Sequence, residues 1–223
     1  MVDLSLVKPQ DLWYVVGLIA TDGNLSIDGR HLSITSKDED LLEGVKRALH
    51  INNKIGKKAR SSGKEKKYSV LQISDVKFYH FLQKVGLEKR KSLTLKPLNI
   101  PSEYFTDFIR GVIDGDGNIS MWKHKTNNNI QWSLRIFSGS QKFMIWLKSK
   151  MENLFRVQGK LYKYQKLNFN YLYTIKFGKF AAKIILNKCY YTDCLALARK
   201  NSKAISCLKS VDGLSKYGNV VLT

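Results

Sequence analysis

Two aspartates stand in matching settings 94 residues apart, in a chain with 38 Lys and Arg but only 18 Asp and Glu. Asp22 ends the run Val-Val-Gly-Leu-Ile-Ala-Thr-Asp-Gly, and Asp116 ends Ile-Arg-Gly-Val-Ile-Asp-Gly-Asp-Gly. Each run is predicted to be the end of an apolar helix, where the helix dipole disfavours a carboxylate by about 0.3–1 kcal/mol. Because this placement occurs twice, we interpret the two acids as sharing a chemical role.

A glycine lies five residues before each aspartate, Gly17 in the first run and Gly111 in the second. A residue without a side chain lets two helices approach closely, so we expect the two helices to pack at these glycines, with the aspartates side by side near a pseudo-twofold axis. Two adjacent carboxylates do not both stay ionised without a cation, and hard oxygen ligands suit Mg²⁺. The pattern predicts metal-assisted hydrolysis of a phosphodiester.

Ordinary explanations exist for parts of these runs. One Asp-Gly pair after a helix is usually a cap and a turn. The residues from Asp114 onwards begin like a calcium-binding loop, but its sixth position is Ile119 and its twelfth Lys125, where such a loop needs Gly and Glu. Asp114 has no acidic counterpart in the first run, where Ala20 fills that place, so we interpret Asp114 as structural or auxiliary.

The composition indicates a folded, strongly basic protein of 223 residues, with 43% hydrophobic residues and a formal net charge of +20. An excess of positive charge this large favours a nucleic-acid partner. A membrane protein is not expected, because no apolar run approaches the ~18–20 residues of a span and residues 1–14 lack a signal-peptide pattern. Three cysteines without zinc-type spacing predict reduced thiols and an intracellular location, in a bacterial or archaeal cytoplasm or an organelle.

Hydrophobic periodicity predicts one unit of helix, hairpin, helix, hairpin and helix that is used twice. The fold class is therefore α+β, with two pseudo-symmetric αββαββ(α) repeats. In each repeat helices back an antiparallel four-stranded sheet, and the packed pair of motif helices joins the repeats. We expect repeats over 1–98, which includes a basic connector, and 99–208, followed by a tail over 209–223.

The first repeat has a predicted helix at 11–21, strands at 25–27 and 31–35 around the two-residue turn Asp28-Gly29, a helix capped by Asp38, strands at 54–60 and 68–74, and a helix that ends at Gly86. The second has a helix at 103–114, strands at 118–125 and 131–137, a helix capped by Ser140, strands at 159–165 and 171–177, a helix through Phe180 and Ile184, and a last helix at 194–208.

Alternation along the strands predicts that each sheet has one apolar and one polar face. The polar positions are rich in side chains that donate two hydrogen bonds and in aromatic rings, which favours a surface that reads DNA over a plain solvated face. The apolar set, expected under the helices, is Leu25, Ile27, Leu32, Ile34, Leu71, Ile73, Ile119, Met121, Leu134, Ile136, Tyr173 and Ile175. The DNA-reading set is Asn24, Ser26, Arg30, His31, Ser33, Tyr68, Gln72, Ser120, Trp122, His124, Gln131, Ser133, Arg135, Thr174 and Lys176.

The runs at 15–23 and 109–117 resemble the two signature motifs of the LAGLIDADG homing endonucleases in their single-chain, two-repeat form. The resemblance extends over nearly all of the chain in motif spacing, element order and length. It implies two sheets that form a saddle in the major grooves of double-stranded DNA, with the motif helices as the interface. It also implies a monomer that cuts both strands across the minor groove, leaves short 3′ overhangs at a long target, and is encoded in an intron or intein.

Transferred onto this sequence, the resemblance implies that Asp22 and Asp116 bind Mg²⁺, as two or more divalent ions shared with the DNA, and that Gly23 and Gly117 assist through their backbone. Ser36 and Ser138 occupy the place of a Gln or Asn near the active-site water, so that role stays open. A basic residue near the end of each repeat is expected to approach the scissile phosphate. Candidates are Lys89 or Lys91 in the first repeat and Lys200 or Arg199 in the second.

Three functions are compatible with this fold. A site-specific, Mg²⁺-dependent DNA endonuclease is the leading hypothesis. An intron RNA maturase would need the basic surface but not the acids, and some proteins of this kind do both. A DNA-binding protein that has lost cleavage is the third. Both acids are present in this chain, which favours catalysis without excluding a second role on intron RNA.

Overall fold

The computed structural model describes residues 2–59, 67–89, 91, 93–165 and 171–210. The described chain contains seven α-helices, eight strands and one short 3₁₀ turn. Residues 1–98 hold α1 (Pro9–Asp22), β1 (Gly23–Leu25), β2 (His31–Ser36), α2 (Glu39–Ala48), β3 (Ile55–Lys58), β4 (Tyr68–Ser74) and α3 (Val76–Val85). Residues 99–210 hold the 3₁₀ turn Ser102–Tyr104, then α4 (Phe105–Asp116), β5 (Gly117–Lys123), β6 (Ile130–Ser138), α5 (Gln141–Phe155), β7 (Lys160–Gln165), β8 (Tyr171–Phe177), α6 (Lys179–Cys189) and α7 (Ala198–Lys209).

The strands form two antiparallel sheets with the same topology. The first has the order β1-β2-β4-β3 and the second has β5-β6-β8-β7. Their registers correspond, because Leu32 pairs with Ile73 in the first sheet and Leu134 pairs with Phe177 in the second. The predicted fold class is confirmed. The boundaries of the two repeats stay a prediction, and residues 211–223 of the predicted tail lie outside the described residues.

The core lies between the sheets and the helices and continues through the junction of α1 and α4. The inward strand residues Leu32, Ile34, Leu134 and Ile136 are fully buried. The motif helices are buried on almost every side, since α1 is buried from Trp13 to Ala20, as expected of helices that lie at the centre of a molecule. Among the described residues, no helix has the length and apolar character needed to cross a bilayer.

The hairpin around Asp28 and Gly29 differs from the predicted two-residue turn. That turn requires a positive φ at both central residues, but only Gly29 has one, of 76°. The last strand bond joins the Ser26 amide to the His31 carbonyl at 2.9 Å, so four residues form the loop. The Asp28 carboxylate stabilises it by accepting bonds from the amides of Arg30 and His31 at 3.2 and 3.1 Å.

Two residues of the predicted apolar face lie in solvent instead. Ile27 is 67% exposed because it belongs to the four-residue loop and not to a strand. Met121 is 56% exposed toward the hairpin end of β5, while Trp132 opposite it is buried.

Helix starts also depart from prediction at two points. The last helix begins at Ala198, four residues later than expected. Asp38 stands at the start of α2 but its side chain makes no capping bond. It accepts a bond from Arg199 Nε at 3.1 Å instead, whereas the predicted cap Ser140 does accept the Phe143 amide at 3.4 Å.

Candidate functional site

The two motif helices cross with their backbones in contact at Gly17 and Gly111. A Cβ on Gly17 would lie 2.1 Å from the Phe108 carbonyl oxygen, and one on Gly111 would lie 2.1 Å from that of Tyr14. The glycine Cα of each helix lies about 3 Å from the Cβ position of the other. No side chain larger than hydrogen fits at either place, so the crossing predicted from the sequence occurs at these glycines.

This crossing brings the carboxyl ends of α1 and α4 together. A Cβ on Gly115 of α4 would lie 1.9 Å from Thr21 Oγ1 and 3.3 Å from Asp22 Oδ2, which places the Asp22 carboxylate against the end of the opposite helix. Asp116 ends that helix. Both aspartates are exposed to solvent.

The pKa values of the two acids report the crowding at this junction. Desolvation and, next, repulsion from Asp116 raise the pKa of Asp22 to about 6, against the attraction of Lys200 and Lys91. Desolvation also raises the pKa of Asp116, and the same two lysines oppose it. The acids therefore lie within electrostatic reach of each other, and a bound cation would favour their ionised forms.

Two buried lysines flank the acids. Lys91 is 5% exposed and donates a hydrogen bond to the Gly23 carbonyl, directly after Asp22. Lys200 is also 5% exposed and donates to the carbonyls of Ile113 and Asp114 at 2.6 Å. Desolvation lowers the pKa of each lysine to about 8, while the neighbouring carboxylates oppose that shift.

The other two basic candidates lie elsewhere. Lys89 is exposed and donates to the Ile27 carbonyl at 2.8 Å, which places it on the β1–β2 loop. Arg199 is bonded to Asp38 at the start of α2, although its positive charge also opposes the rise in the pKa of Asp22. The geometry thus brings Lys91 and Lys200 to the acids.

Asp114 is part of the core and not of the acid pair. Its carboxylate is 1% exposed and accepts bonds from Tyr14 OH, Tyr190 OH and the Leu197 amide. Arg110 is fully buried one turn earlier, bonded to Asp107 at 2.7 Å, with its guanidinium over the rings of Tyr14 and Tyr191.

The donor set fits a divalent cation only in part. No group of three or more Asp, Glu, His or Cys side chains is placed to hold a metal within the described ranges. The protein offers two hard carboxylate oxygen donors with raised pKa values, and phosphate oxygens and water would have to complete a coordination shell. Of the two predicted backbone ligands, the Gly23 carbonyl already accepts a bond from Lys91.

The two serines predicted near the active-site water each bind backbone. Ser36 Oγ accepts the Asp38 amide at 3.0 Å and Ser138 Oγ accepts the Ser140 amide at 3.2 Å. Ser138 also lines a pocket with Asp116 and Lys91. On the other side of the junction, Thr35 and Lys58 line a pocket with Asp22 and Tyr68.

Sequence reasoning missed Thr35 and Lys58, although a signal was present. Thr35 follows His31 and Ser33 in the alternation of β2, and Lys58 pairs directly with Tyr68 across the sheet. The strand period alone would therefore have placed both residues on the polar face.

Most members of the predicted DNA-reading set lie at least partly open on the polar faces, but two do not. Ser133 is fully buried and Thr174 is 3% exposed. Their hydroxyl oxygens and Arg135 Nε are buried without a hydrogen-bond partner. Their predicted contact with DNA stays a prediction, but both side chains are closed to solvent in this structure.

Several remaining members of that set are engaged with neighbours. The ring nitrogen Nδ1 of His31 binds Asp28, and the Ser120 hydroxyl binds Asn118. Of the predicted set, the side chains that are exposed are those of Asn24, Gln72 and Trp122 in the sheets and of Arg30 and His124 in loops.

The chain is similar to known LAGLIDADG proteins in sequence over its first repeat and in fold throughout. Residues 9–86 match the model of the LAGLIDADG-like domain. No curated protein is similar to the chain in sequence. Of solved structures, the homing endonuclease I-WcaI bound to its DNA recognition sequence is 12% identical, with a TM-score of 0.61 over 89% of this chain and 87% of that one.

Two further structures show the same fold. The LAGLIDADG homing endonuclease I-GzeII in complex with its DNA target is 14% identical, with a TM-score of 0.59 over 90% of this chain and 88% of that one. Full-length DUF199/WhiA from Thermatoga maritima is 12% identical, with a TM-score of 0.54 over 92% of this chain. The present chain spans 62% of the length of that protein. The resemblance drawn from the two motifs is confirmed, and at these identities it concerns the fold.

Proposed function

We propose that this chain, whose residues 9–86 belong to the LAGLIDADG-like domain family and whose two repeats share the fold of LAGLIDADG homing endonucleases, is a divalent-metal-dependent endonuclease that cuts both strands of DNA. The observation that carries the proposal is the meeting of Asp22 and Asp116 at a backbone-to-backbone helix crossing. Each acid has a buried lysine within electrostatic reach.

The two sheets supply the DNA-binding part of the proposal. The chain has a net charge of +20, and a polyanion such as DNA is its natural partner. On the second sheet, buried donors that lack a partner, among them Arg135 Nε, share one face. Unpaired buried polar groups are costly, and a base edge that bonded the partly open Arg135 guanidinium would remove part of that cost. I-WcaI and I-GzeII, which have this fold, are bound to DNA.

The chemistry follows from what each side chain can do. The two carboxylates would hold Mg²⁺ together with phosphate oxygens, and the ion would supply charge neutralisation and activation of the attacking water. The ammonium groups of Lys91 and Lys200 would stabilise negative charge that develops on the scissile phosphate. Because one chain contains both acids and both lysines, a monomer suffices to cut two strands. We further propose that the products carry short 3′ overhangs and that the target site is long. The protein would be encoded in an intron or intein.

The fold occurs in DUF199/WhiA as well as in homing endonucleases, so the second candidate is a protein that binds DNA without cutting it. The two proposals differ in what they require of the acids. A protein that only binds has no need of two exposed carboxylates whose pKa values are raised at a helix junction. A second role on intron RNA would use the basic surface and leave the acids unused.

The test begins with selection of bound duplexes from a randomised DNA pool, followed by cutting assays with Mg²⁺. The Asp22→Asn and Asp116→Asn variants should bind the selected duplex as the unaltered chain does and cut it at most at trace rates. Asp40→Asn, which removes the same charge at an exposed position of α2, is the matched control and should cut normally. Undiminished cutting by a protein with both substitutions would refute the two-acid mechanism, and the absence of cutting by the unaltered chain would favour the binding protein.

A further inference from the structure

The buried carboxylate of Asp114 lies beneath the acid pair and joins three other elements to α4. It accepts the Tyr14 hydroxyl of α1 at 2.8 Å, the Tyr190 hydroxyl after α6 at 2.6 Å, and the Leu197 amide before α7 at 2.6 Å. Three donors on one buried carboxyl group hold it in a fixed place, since a buried polar group that lost its partners would be costly. The start of α7 is therefore attached to the end of α4 through this side chain.

Lys200 forms a second link between the same two helices. Its amino group donates to the carbonyls of Ile113 and Asp114 at 2.6 Å and of Gly115 at 3.1 Å. Leu197 directly precedes α7 and Lys200 lies in its first turn. The side chain and the main chain of Asp114 thus hold the same short stretch, and together they fix where the Lys200 amino group lies relative to Asp116.

The described part of the first repeat holds its lysine differently. Ala20, an apolar residue, occupies the place of Asp114, and Lys91 reaches the Gly23 carbonyl from the connector after α3. The two pseudo-symmetric halves therefore hold their lysines by different means.

We propose that Asp114 is a positioning residue that holds Lys200 at one of the two cutting positions and thereby sets the rate at which one DNA strand is cut. This inference rests on the proposed endonuclease function. Among the described residues Asp114 accepts bonds from Tyr14, Tyr190 and Leu197 and none from Lys91, so the rate at the other strand should change little when Asp114 is replaced.

The first experiment follows both strands separately in a plasmid that carries the selected target. Asp114→Ala should slow one strand by about tenfold to a hundredfold, as expected of a displaced catalytic group, and leave the other within about twofold, so that nicked circles accumulate. The slowed strand should be the one that Lys200→Met slows. Leu197→Pro is the second variant, because it removes the donated amide at a φ of −72° that proline accepts, together with part of a buried apolar side chain. It should slow the same strand.

Two further variants separate positioning from general stability. In Asp114→Asn the amide oxygen can keep the bonds from Tyr14 and Leu197, while the Tyr190 hydroxyl turns to accept from the amide nitrogen. This variant should cut both strands nearly evenly. Tyr190→Phe removes one donor and leaves the Leu197 link, so it should also show no strand bias.

A readout without DNA keeps this inference distinct from the proposed function. Reductive methylation of the native protein, read by mass spectrometry, should spare Lys200 in the unaltered chain and modify it in Asp114→Ala and Leu197→Pro. Equal slowing of both strands by folded Asp114→Ala and Leu197→Pro, or continued protection of Lys200 in them, would overturn the inference. If the unaltered chain cuts no DNA, the proposed function fails, and the labelling result alone decides whether Asp114 positions Lys200.

Discussion

At the scale of single residues, the site depends on which lysines lie at the acids. Lys91 and Lys200 are buried at the helix ends, whereas Lys89 is bonded to the β1–β2 loop. Replacement of Lys91 or Lys200 by Met should slow cutting by about 10²–10³-fold, the usual cost of losing one group that stabilises transition-state charge. Lys89→Met is the matched control. Cutting and binding rates of the three variants check this, and a strong effect of Lys89→Met on cutting would contradict it.

Asp22 also predicts how stability changes with pH. The pKa of its carboxyl is 3.8 in the unfolded chain and about 6 in the folded one. Between these values the folded state binds more protons, so the contribution of Asp22 to stability falls as the pH rises. In EDTA, the melting temperature of Asp22→Asn relative to the unaltered chain should therefore increase from pH 4 to pH 7. Mg²⁺ at pH 7 should stabilise only the protein with both acids, and a parallel pH dependence of the two proteins would contradict the assignment.

The position of Arg135 leads to a prediction about how the protein recognises DNA bases. Its Nε lacks a partner on the polar face of the second sheet, and a guanidinium commonly reads guanine in the major groove. Selection from a randomised duplex pool with Arg135→Ala should lose preference at one base pair, worth about 1–3 kcal/mol, and keep it elsewhere. Lys150→Ala, an exposed position on α5, is the control and should return the original target. An unchanged selected sequence for Arg135→Ala would remove this residue from base reading.

At the scale of elements, the helix crossing has no space for a methyl group. In Gly17→Ala the new Cβ would lie 2.1 Å from a backbone oxygen that cannot turn away. The helices must separate, and the free energy of unfolding should fall by about 3 kcal/mol or more, at the upper end for overpacking. Gly178→Ala, with no atom within 4 Å of its added carbon, is the control and should be nearly neutral. Chemical denaturation of both variants measures the difference, and equal stabilities would contradict the close crossing.

Sequence patterns predicted the elements well because strands and helices repeat with a period that side chains report. The observed bounds of the strands from β4 to β8 and the end of helix α3 lie close to the predicted ones. The four-residue loop at Asp28 was missed because an Asp-Gly pair fits several turns, and the choice depends on bonds from the amides of Arg30 and His31.

The candidate site was predictable only where the sequence repeats itself. The glycines and aspartates of the two motifs were found because they recur, and the structure brings them together. The sequence could not show whether Lys89 or Lys91 lies at the acids. The connector has no periodicity, and the two lysines are distinguished only by how the chain folds there. The burial of Ser133 was likewise not predictable, because a polar–apolar alternation assigns a residue to a face and does not say how exposed it is there.

At the scale of the whole molecule, the net charge of +20 predicts how affinity responds to salt. Phosphate contacts release counterions, so a protein with 6–10 of them loses about 10³–10⁵ in affinity between 50 and 200 mM salt. We expect a loss in this range for the selected duplex, measured by titration at several salt concentrations. Asp22→Asn should give a parallel slope, because the acids do not bind phosphate directly. Affinity that does not change with salt would contradict a DNA-binding surface made of basic side chains.

At Gly17 and Gly111 the crossing of α1 and α4 brings main-chain atoms into contact, and this has a consequence for how such a protein can diverge. The distance between the two acids is set by two absent side chains and not by any residue of the sheets. If the chain cuts DNA as proposed, mutations that alter which sequence each sheet recognises should therefore leave the cutting geometry unchanged, so that the two halves can diverge separately. By the same reasoning, halves from different chains that keep this glycine pair can be exchanged to address composite targets.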